Sequence, residues 1–262
     1  MTSFFVPTSG PCPPGQFAAD INAALAALAG GWRNRLRNAT FAINQRGVSG
    51  TVTLAAGQYG HDGIKGGAAG CTYTFSTSGL DATLSISAGS LILPVEANLV
   101  EGGSYTLSQA GTAPARVWQG IGTTGSGTYA PAPIVVTGLA AATQTNIEFS
   151  TGTVLRPQFE PGSLMTVFER RPAQIEMMLC FRYFWQGNIN IEGYATGGSV
   201  LKTLVANPAM RAAPTGTIVT LGGNATNTPY FETYPTASFM KVQPATSGDI
   251  WVNVVAALSA EI

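Results

Sequence analysis

The chain carries one histidine, His61, in the segment GQYGHDGIKGG, the natural starting point for acid–base chemistry because an unperturbed imidazole titrates near neutral pH. Asp62 and Cys71 are the partners a catalytic reading would enlist. Adjacent residues on a strand or turn point apart, and one histidine with an unplaced nucleophile makes no oriented triad. The segment reads instead as a polar, Gly-rich turn. Acidic side chains stand singly, at Asp81, Glu96, Glu101, Glu148, Glu160 and Glu192. Glycoside hydrolysis needs two carboxylates at a defined separation with their pKa values split, and nothing in the spacing indicates such a pair. The run GIGTTG, Gly120 to Gly125, matches a dinucleotide fingerprint in letters only. That mechanism needs a helix after the glycines, and the SGTYAPAP that follows cannot be one, so the run reads as a hairpin tip. Cys12, Cys71 and Cys180 are too few and too far apart for a disulfide framework or a zinc site, and fit a protein made in a reducing cytosol. No enzyme activity, metal or cofactor is expected.

Aromatic side chains offer a different chemistry. Trp118, Tyr129, Trp185, Tyr230, Phe231 and Tyr234 are the rings placed best to act outside a core. A flat ring on a loop stacks against the apolar face of a sugar while nearby Asn and Thr bond its hydroxyls. Trp118 and Tyr129 flank the Gly-rich tip, and Tyr230 and Tyr234 lie in the turn-rich NTPYFETYP, so these four are the candidate glycan-binding residues. The competing reading for any one of them is a core or subunit-contact residue. Two Asn-Ala-Thr triplets, at Asn38 and Asn224, match a glycosylation acceptor, but no secretory signal is evident to give them meaning.

The elements that must position these residues are organised around Phe168 to Trp185, FERRPAQIEMMLCFRYFW. Pro172 suits a first helical position, and Ile175, Met178, Leu179 and Arg182 follow at helix spacing. The run Phe181, Tyr183, Phe184, Trp185 belongs to a strand or a buried joint. On either side lie short alternating runs broken by Gly, Ser, Asn and Pro. They include 51–54, 73–75, 82–86, 105–107, 134–136 and 146–149 before the junction, and 188–194, 199–204, 216–221, 238–242 and 250–258 after it. This rhythm predicts an all-β protein of two tandem antiparallel β-sandwiches, jelly-roll-like, joined by a short helix. The units are a sandwich at 34–171, a helical connector at 172–186 and a smaller sandwich at 187–262, whose limited core invites subunit contact. Ahead of them, residues 1–33 open with prolines and then carry FAADINAALAALA, a short N-terminal helix stopped by Gly30 and Gly31. Its apolar positions, Phe17, Ala18, Ile21, Leu25 and Leu28, are candidates for an oligomer seam or an anchoring foot, or for packing on the chain's own β-structure.

Composition narrows the partners. With zero net charge and 10% charged residues there is no basic footprint for nucleic acid or anionic lipid, and no apolar run reaches membrane-spanning length. A surface so poor in charge is expected to be covered in part by other subunits.

Three segments carry a resemblance. NRLRNATFAINQRG, from Asn34 to Gly47, resembles the opening of the carbohydrate-binding-module-like jelly-roll domain of bacteriophage tail-fibre, head-fibre and spike proteins. LRPQFEPGSLMTVFERRPAQIEMMLCFRYFW, from Leu155 to Trp185, is similar to the end of that domain. PAMRAAPT, from Pro208 to Thr215, and the closing AALSAEI look like the small β-sandwich that follows it. The resemblance implies a virion structural protein, a homotrimer, assembled in the host bacterial cytoplasm. It would be held to other virion proteins by residues 1–33 and would display its sandwiches to host-surface polysaccharide. Phe159, Met177 and Phe181 are more apolar than the residues common in the family, so the junction is expected to be more deeply buried. The rival readings are a capsid decoration, collar or adaptor protein with no receptor, and a glycan-degrading enzyme.

Overall fold

The computed structural model describes residues 32–205, 207–224 and 228–262. Phe17, Ile21, Leu25 and Leu28, the expected N-terminal helix and all but the last two residues of the anchoring segment lie outside that range. Among the described residues the chain is mostly β-strand with one α-helix, and every pairing between named strands is antiparallel.

The first nine strands form two sheets. They are β1 (Val52–Leu54), β2 (Lys65–Ser78), β3 (Asp81–Val95), β4 (Gly103–Ser108), β5 (Ala115–Gln119), β6 (Ile134–Leu139), β7 (Thr145–Phe149), β8 (Gly152–Val154) and β9 (Gln158–Pro161). One sheet runs β1-β2-β3-β7-β5, with β8 also on β3; the other runs β6-β4-β9. Both sheets contribute inward residues to a single core, Leu91, Leu93, Ile147 and Phe149 from the first and Tyr105, Leu107 and Phe159 from the second. Tyr105 and Phe159 stack at 4.7 Å between ring centres. β2 and β3 extend well past the runs visible as alternation. Their register shifts between Gly66 and Cys71, where Gly70 (φ +77°) lies so close to the Leu54 carbonyl that a Cβ would sit 2.4 Å from it. A bulge of this kind interrupts the period of two, so the strand looks shorter in sequence than it is.

A second core follows. β10 (Phe184–Ala195), β11 (Leu201–Val205), β12 (Thr215–Gly223), β13 (Tyr230–Thr233), β14 (Ser238–Val242) and β15 (Gly248–Ser259) make two three-stranded sheets, β10-β15-β12 and β11-β14-β13. Ile189, Ile191, Val252 and Val254 on one sheet and Met240 and Val242 on the other bury each other. The strands at 115–119, 152–154, 158–161 and 230–233 had no clear signal, being short or half polar.

The helix α1 (Ala173–Phe181) begins one residue later than expected, with Pro172 in an extended conformation as its cap. Its buried residues are Glu176 and Cys180, while Met178 is 66% exposed. The apolar spacing through Ile175, Met178 and Leu179 therefore gives the wrong inner face. The reason is an ion pair: the Glu176 carboxylate accepts from Arg171 at 2.9 Å and from the Asn38 backbone N–H at 2.7 Å, which draws a charged residue inward. Phe159 is buried as expected, but Met177 and Phe181 are only half-buried.

The same network closes the first unit. The Asn34 side-chain oxygen accepts from the backbone N–H groups of Leu36 and Phe159, both at 3.1 Å, and its amide donates to the Pro157 carbonyl. Asn38, held at positive φ, bonds both backbone groups of Ile43 and the Asp62 carbonyl. Arg171 donates to the carbonyls of Asn34 and Leu36. Residues 34–38 are thus tied to 157–176 across more than a hundred positions.

The two cores meet at a polar joint. Glu261, just past β15, takes Arg37 at 2.8 Å and Arg46 at 3.2 Å, with the Arg37 and Glu261 side chains both under 8% exposed. Tyr59 and Lys65 donate to the Ile262 carbonyl oxygen. Arg37 also lies over the Tyr183 ring at 3.7 Å and Arg46 over Phe184 at 3.6 Å. Arg182 grips Glu96 through two 3.0 Å bonds, and Tyr183 donates to the same carboxylate. Removing one partner of a buried pair leaves the other charged and unmatched. Glu261→Ala is expected to lower stability in urea unfolding by about 3–5 kcal/mol, and Arg37→Met placed in the same chain to restore part of that loss.

Candidate functional site

β5 and β7 pair with Arg116 opposite Glu148 and Trp118 opposite Asn146. Ala115, Ile147 and Phe149, on the alternate positions, point into the core, so Arg116, Trp118, Asn146 and Glu148 stand on the outer face of the sheet. Outer-face side chains are normally solvated, yet Trp118 is only 5% exposed and Glu148 is buried. The Gly120–Tyr129 loop folds back across them. Asn146 donates to the Gly120 carbonyl at 2.8 Å. Gly125 approaches the indole so closely that a Cβ there would lie 2.2 Å from Nε1.

Four donors converge on the Glu148 carboxylate. It accepts from Arg116 Nε at 2.9 Å, Trp118 Nε1 at 2.9 Å, Tyr129 Oη at 2.7 Å and Ser90 Oγ at 2.7 Å. Burial alone would raise its pKa; the bonds from Arg116, Ser90 and Tyr129 outweigh burial and hold it below the ordinary carboxylate range. Trp118 and Tyr129, which flank the glycine-rich tip, are brought together as donors to a shared acid, Trp118 beneath the loop and the half-buried Tyr129 at its end. Trp118 presents no open face for a sugar, and GIGTTG is the cover rather than a free hairpin tip.

Tyr230 and Tyr234 occupy a different place. Tyr230 pairs with Lys241 and Glu232 with Phe239, and on the other side of β14 Lys202 pairs with Lys241 and Leu204 with Phe239. These residues share the outer face of the β11-β14-β13 sheet. Glu232 holds Lys241 at 2.5 Å and accepts from the Tyr234 hydroxyl at 3.1 Å, and both rings are exposed.

Among the described residues the most open aromatic face is one that the sequence candidates do not include. On the β10-β15 ladder three successive cross-strand pairs look outward: Asn190 with Asn253, Glu192 with Trp251, and Tyr194 with Asp249. Trp251 is 51% exposed and Tyr194 68%. Beyond Trp251 the neighbouring strand ends in Gly222 and Gly223, so no side chain from them crowds the indole, and Asn224 bonds the Trp251 backbone in both directions. Alternation was the signal that could have found this face. In INIEGYA and WVNVV the Ile and Val positions mark the inside, which sends Asn190, Glu192, Tyr194, Trp251 and Asn253 outward. Phe184 and Ser259 pair at the joint end of the same ladder. Trp251 lies eight residues along β15 from Ser259, about 27 Å at strand rise.

His61 is 1% exposed and is not paired with Asp62 or Cys71. Its Nδ1 meets the Tyr73 hydroxyl at 2.9 Å and its ring stands edge-on to Phe75 at 4.4 Å. Asp62 instead accepts from the backbone and side chain of Gln45. Burial lifts the Cys71 thiol to about 12, which keeps it protonated, and lowers His61 to about 4. Among the described residues no group of three or more His, Cys, Asp or Glu is gathered for a metal ion. No protein-family model, curated protein or solved structure matches the chain.

The His61 shift gives a pH dependence of known sign. The folded-state pKa lies below the ordinary value of 6.5, so the unfolded chain binds the proton first as pH falls. The stabilisation is complete above about pH 6.5 and is lost progressively towards pH 4, on the order of 3 kcal/mol in all. With a single histidine in the chain, His61→Gln is expected to flatten the stability profile between pH 6.5 and 5, measured by urea unfolding at each pH.

Proposed function

We propose that the chain is a virion structural protein, a fibre or spike, built as two tandem antiparallel β-sandwiches of jelly-roll type that attach to host-surface polysaccharide. The outward row on β10 and β15 carries this reading. It sets two exposed rings, Tyr194 and Trp251, among Asn190, Asn253, Glu192 and Asp249, a combination that stacks on the apolar face of a sugar and bonds its hydroxyls. The row lies at the end of the ladder away from the joint, where an attachment surface is reachable. Tyr230 and Tyr234 on the opposite outer face provide a second stacking surface. Trp118 and Tyr129 brace the loop around Glu148 instead.

Two further observations support assembly into a particle. Two of the segments that carry the family resemblance, 34–47 and 155–185, bond to one another through Asn34, Asn38, Arg171 and Glu176. Close to where the chain enters the described structure, Trp32, Leu164, Met165 and Val167 are exposed, Val167 at 92%. Glu160 ties that neighbourhood together by accepting from both Arg33 and Thr166. Exposed apolar side chains of this kind suit contact with other virion proteins or with copies of the chain, and they support a homotrimer anchored through residues 1–33. Weak sugar contacts repeated over three chains then add by avidity.

Light scattering is expected to give three times the 27.0 kDa chain mass, and a stable monomer would remove the trimer from this account. On an array of host capsule and lipopolysaccharide glycans, Trp251→Ala is expected to lose about 1–3 kcal/mol of binding, the range for loss of a stacking ring with its burial. Wild-type protein that binds no glycan would favour a decoration or adaptor role without a receptor.

A further inference from the structure

A cavity of about 610 Å³ opens between residues 40–44, the outer part of β2, the Gly79–Leu80 turn and the start of α1. Its walls are largely apolar, with Phe41, Ile43, Phe75, Leu80 and Pro172 among them. The volume falls in the range of small-molecule sites, which combine an apolar wall with a few placed polar groups. His61 lines this cavity and is itself almost wholly buried.

The hydrogen bonds around His61 fix what it offers. The Tyr73 hydroxyl receives the His61 backbone N–H at 3.4 Å and lies 2.9 Å from Nδ1. Burial raises that hydroxyl to about 12, so it keeps its proton. Because the hydroxyl already accepts the His61 backbone N–H, we assign its own proton to Nδ1, which puts the imidazole hydrogen on Nε2. No described residue accepts from Nε2. Phe75 sets the tilt of the ring from its edge. Charges on the wall are already matched: Arg170 grips Asp81 through two 2.7 Å bonds, and Arg171 pairs with Glu176 and Glu169.

We infer that this cavity binds an uncharged, largely apolar small molecule bearing one carbonyl or ether oxygen, which accepts a hydrogen bond from His61 Nε2. A charged molecule would find no free counter-charge here. A sugar would leave most of its hydroxyls unpaired against the apolar wall, which separates this site from the outer aromatic faces. The occupant is held by apolar burial and oriented by the one donor.

Nile red, a neutral dye with a ring carbonyl, is a suitable probe for the full-length chain. Fluorescence titration is expected to show saturable one-to-one binding with blue-shifted emission, weakened at least tenfold in His61→Phe and abolished in Ala42→Trp. Ala42 is exposed while lining the cavity, so Ala42→Trp decides the matter if His61→Phe does not fold. Because the chain has one histidine, its Nε2 resonance in a ¹⁵N spectrum reads the contact directly and is expected to move as dye saturates. Absence of saturable binding, equal binding in both variants, or an unmoved Nε2 resonance would overturn the inference.

Discussion

A carboxylate taken out of water must be matched where it lands, and the seating of Glu261 between Arg37 and Arg46 is the constraint on which the two-part architecture depends. Each core is internally satisfied by its own apolar residues, and neither fixes how the other is oriented. The joint does so through directional bonds. Arg37 and Arg46 bind Glu261 while lying over the rings of Tyr183 and Phe184, so the two strands at the root of the second unit are gripped by the same pair of guanidiniums. Arg211 adds bonds to the Ala260 and Glu261 carbonyls, and Gln45 bonds the Phe184 carbonyl. An apolar joint of equal area would tolerate sliding; this one has a single register.

The same economy of charge runs through the first unit. Asp81, Glu96, Glu101, Glu148 and Glu160 each end on at least one arginine. In all five, burial pushes the carboxyl up and the bonds it accepts bring it below its ordinary range. A chain with so few charges has committed many of them to pinning loops and joints. On the outer face of β10 and β15 the remaining Glu192 and Asp249 stand among amides and rings, a mixture of acceptors, donors and apolar faces suited to a hydroxyl-rich ligand.

This commitment also explains what could be read in advance. The alternating runs, the break near Arg171 and the short helix after Pro172 are local patterns, and local patterns identified most strands of both halves. The ion pairs were not legible because their members lie far apart in sequence: Arg116 is 32 positions from Glu148, Arg182 is 86 from Glu96 and Arg37 is 224 from Glu261. They decided the points that pattern reading missed. Glu176 turned α1 by attracting Arg171, and Glu148 drew Trp118 under a loop and bonded Tyr129 at that loop's end, where the flanking glycines suggest display. Trp251 and Tyr194 were hidden for a different reason. The parity of their strands is readable, but a ring inside a regular strand carries no local mark, such as a glycine-rich turn, that singles it out for display.

β15 has a mechanical character that follows from its place in the sheet. It is the central strand of three, bonded along its length to β10 and β12, with Trp251 near one end and the Glu261 joint just beyond the other. Its ladder bonds run perpendicular to the strand. Tension drawn along β15 therefore loads these bonds in shear, sharing force among many rather than peeling them one at a time, and delivers it to the arginines at the root.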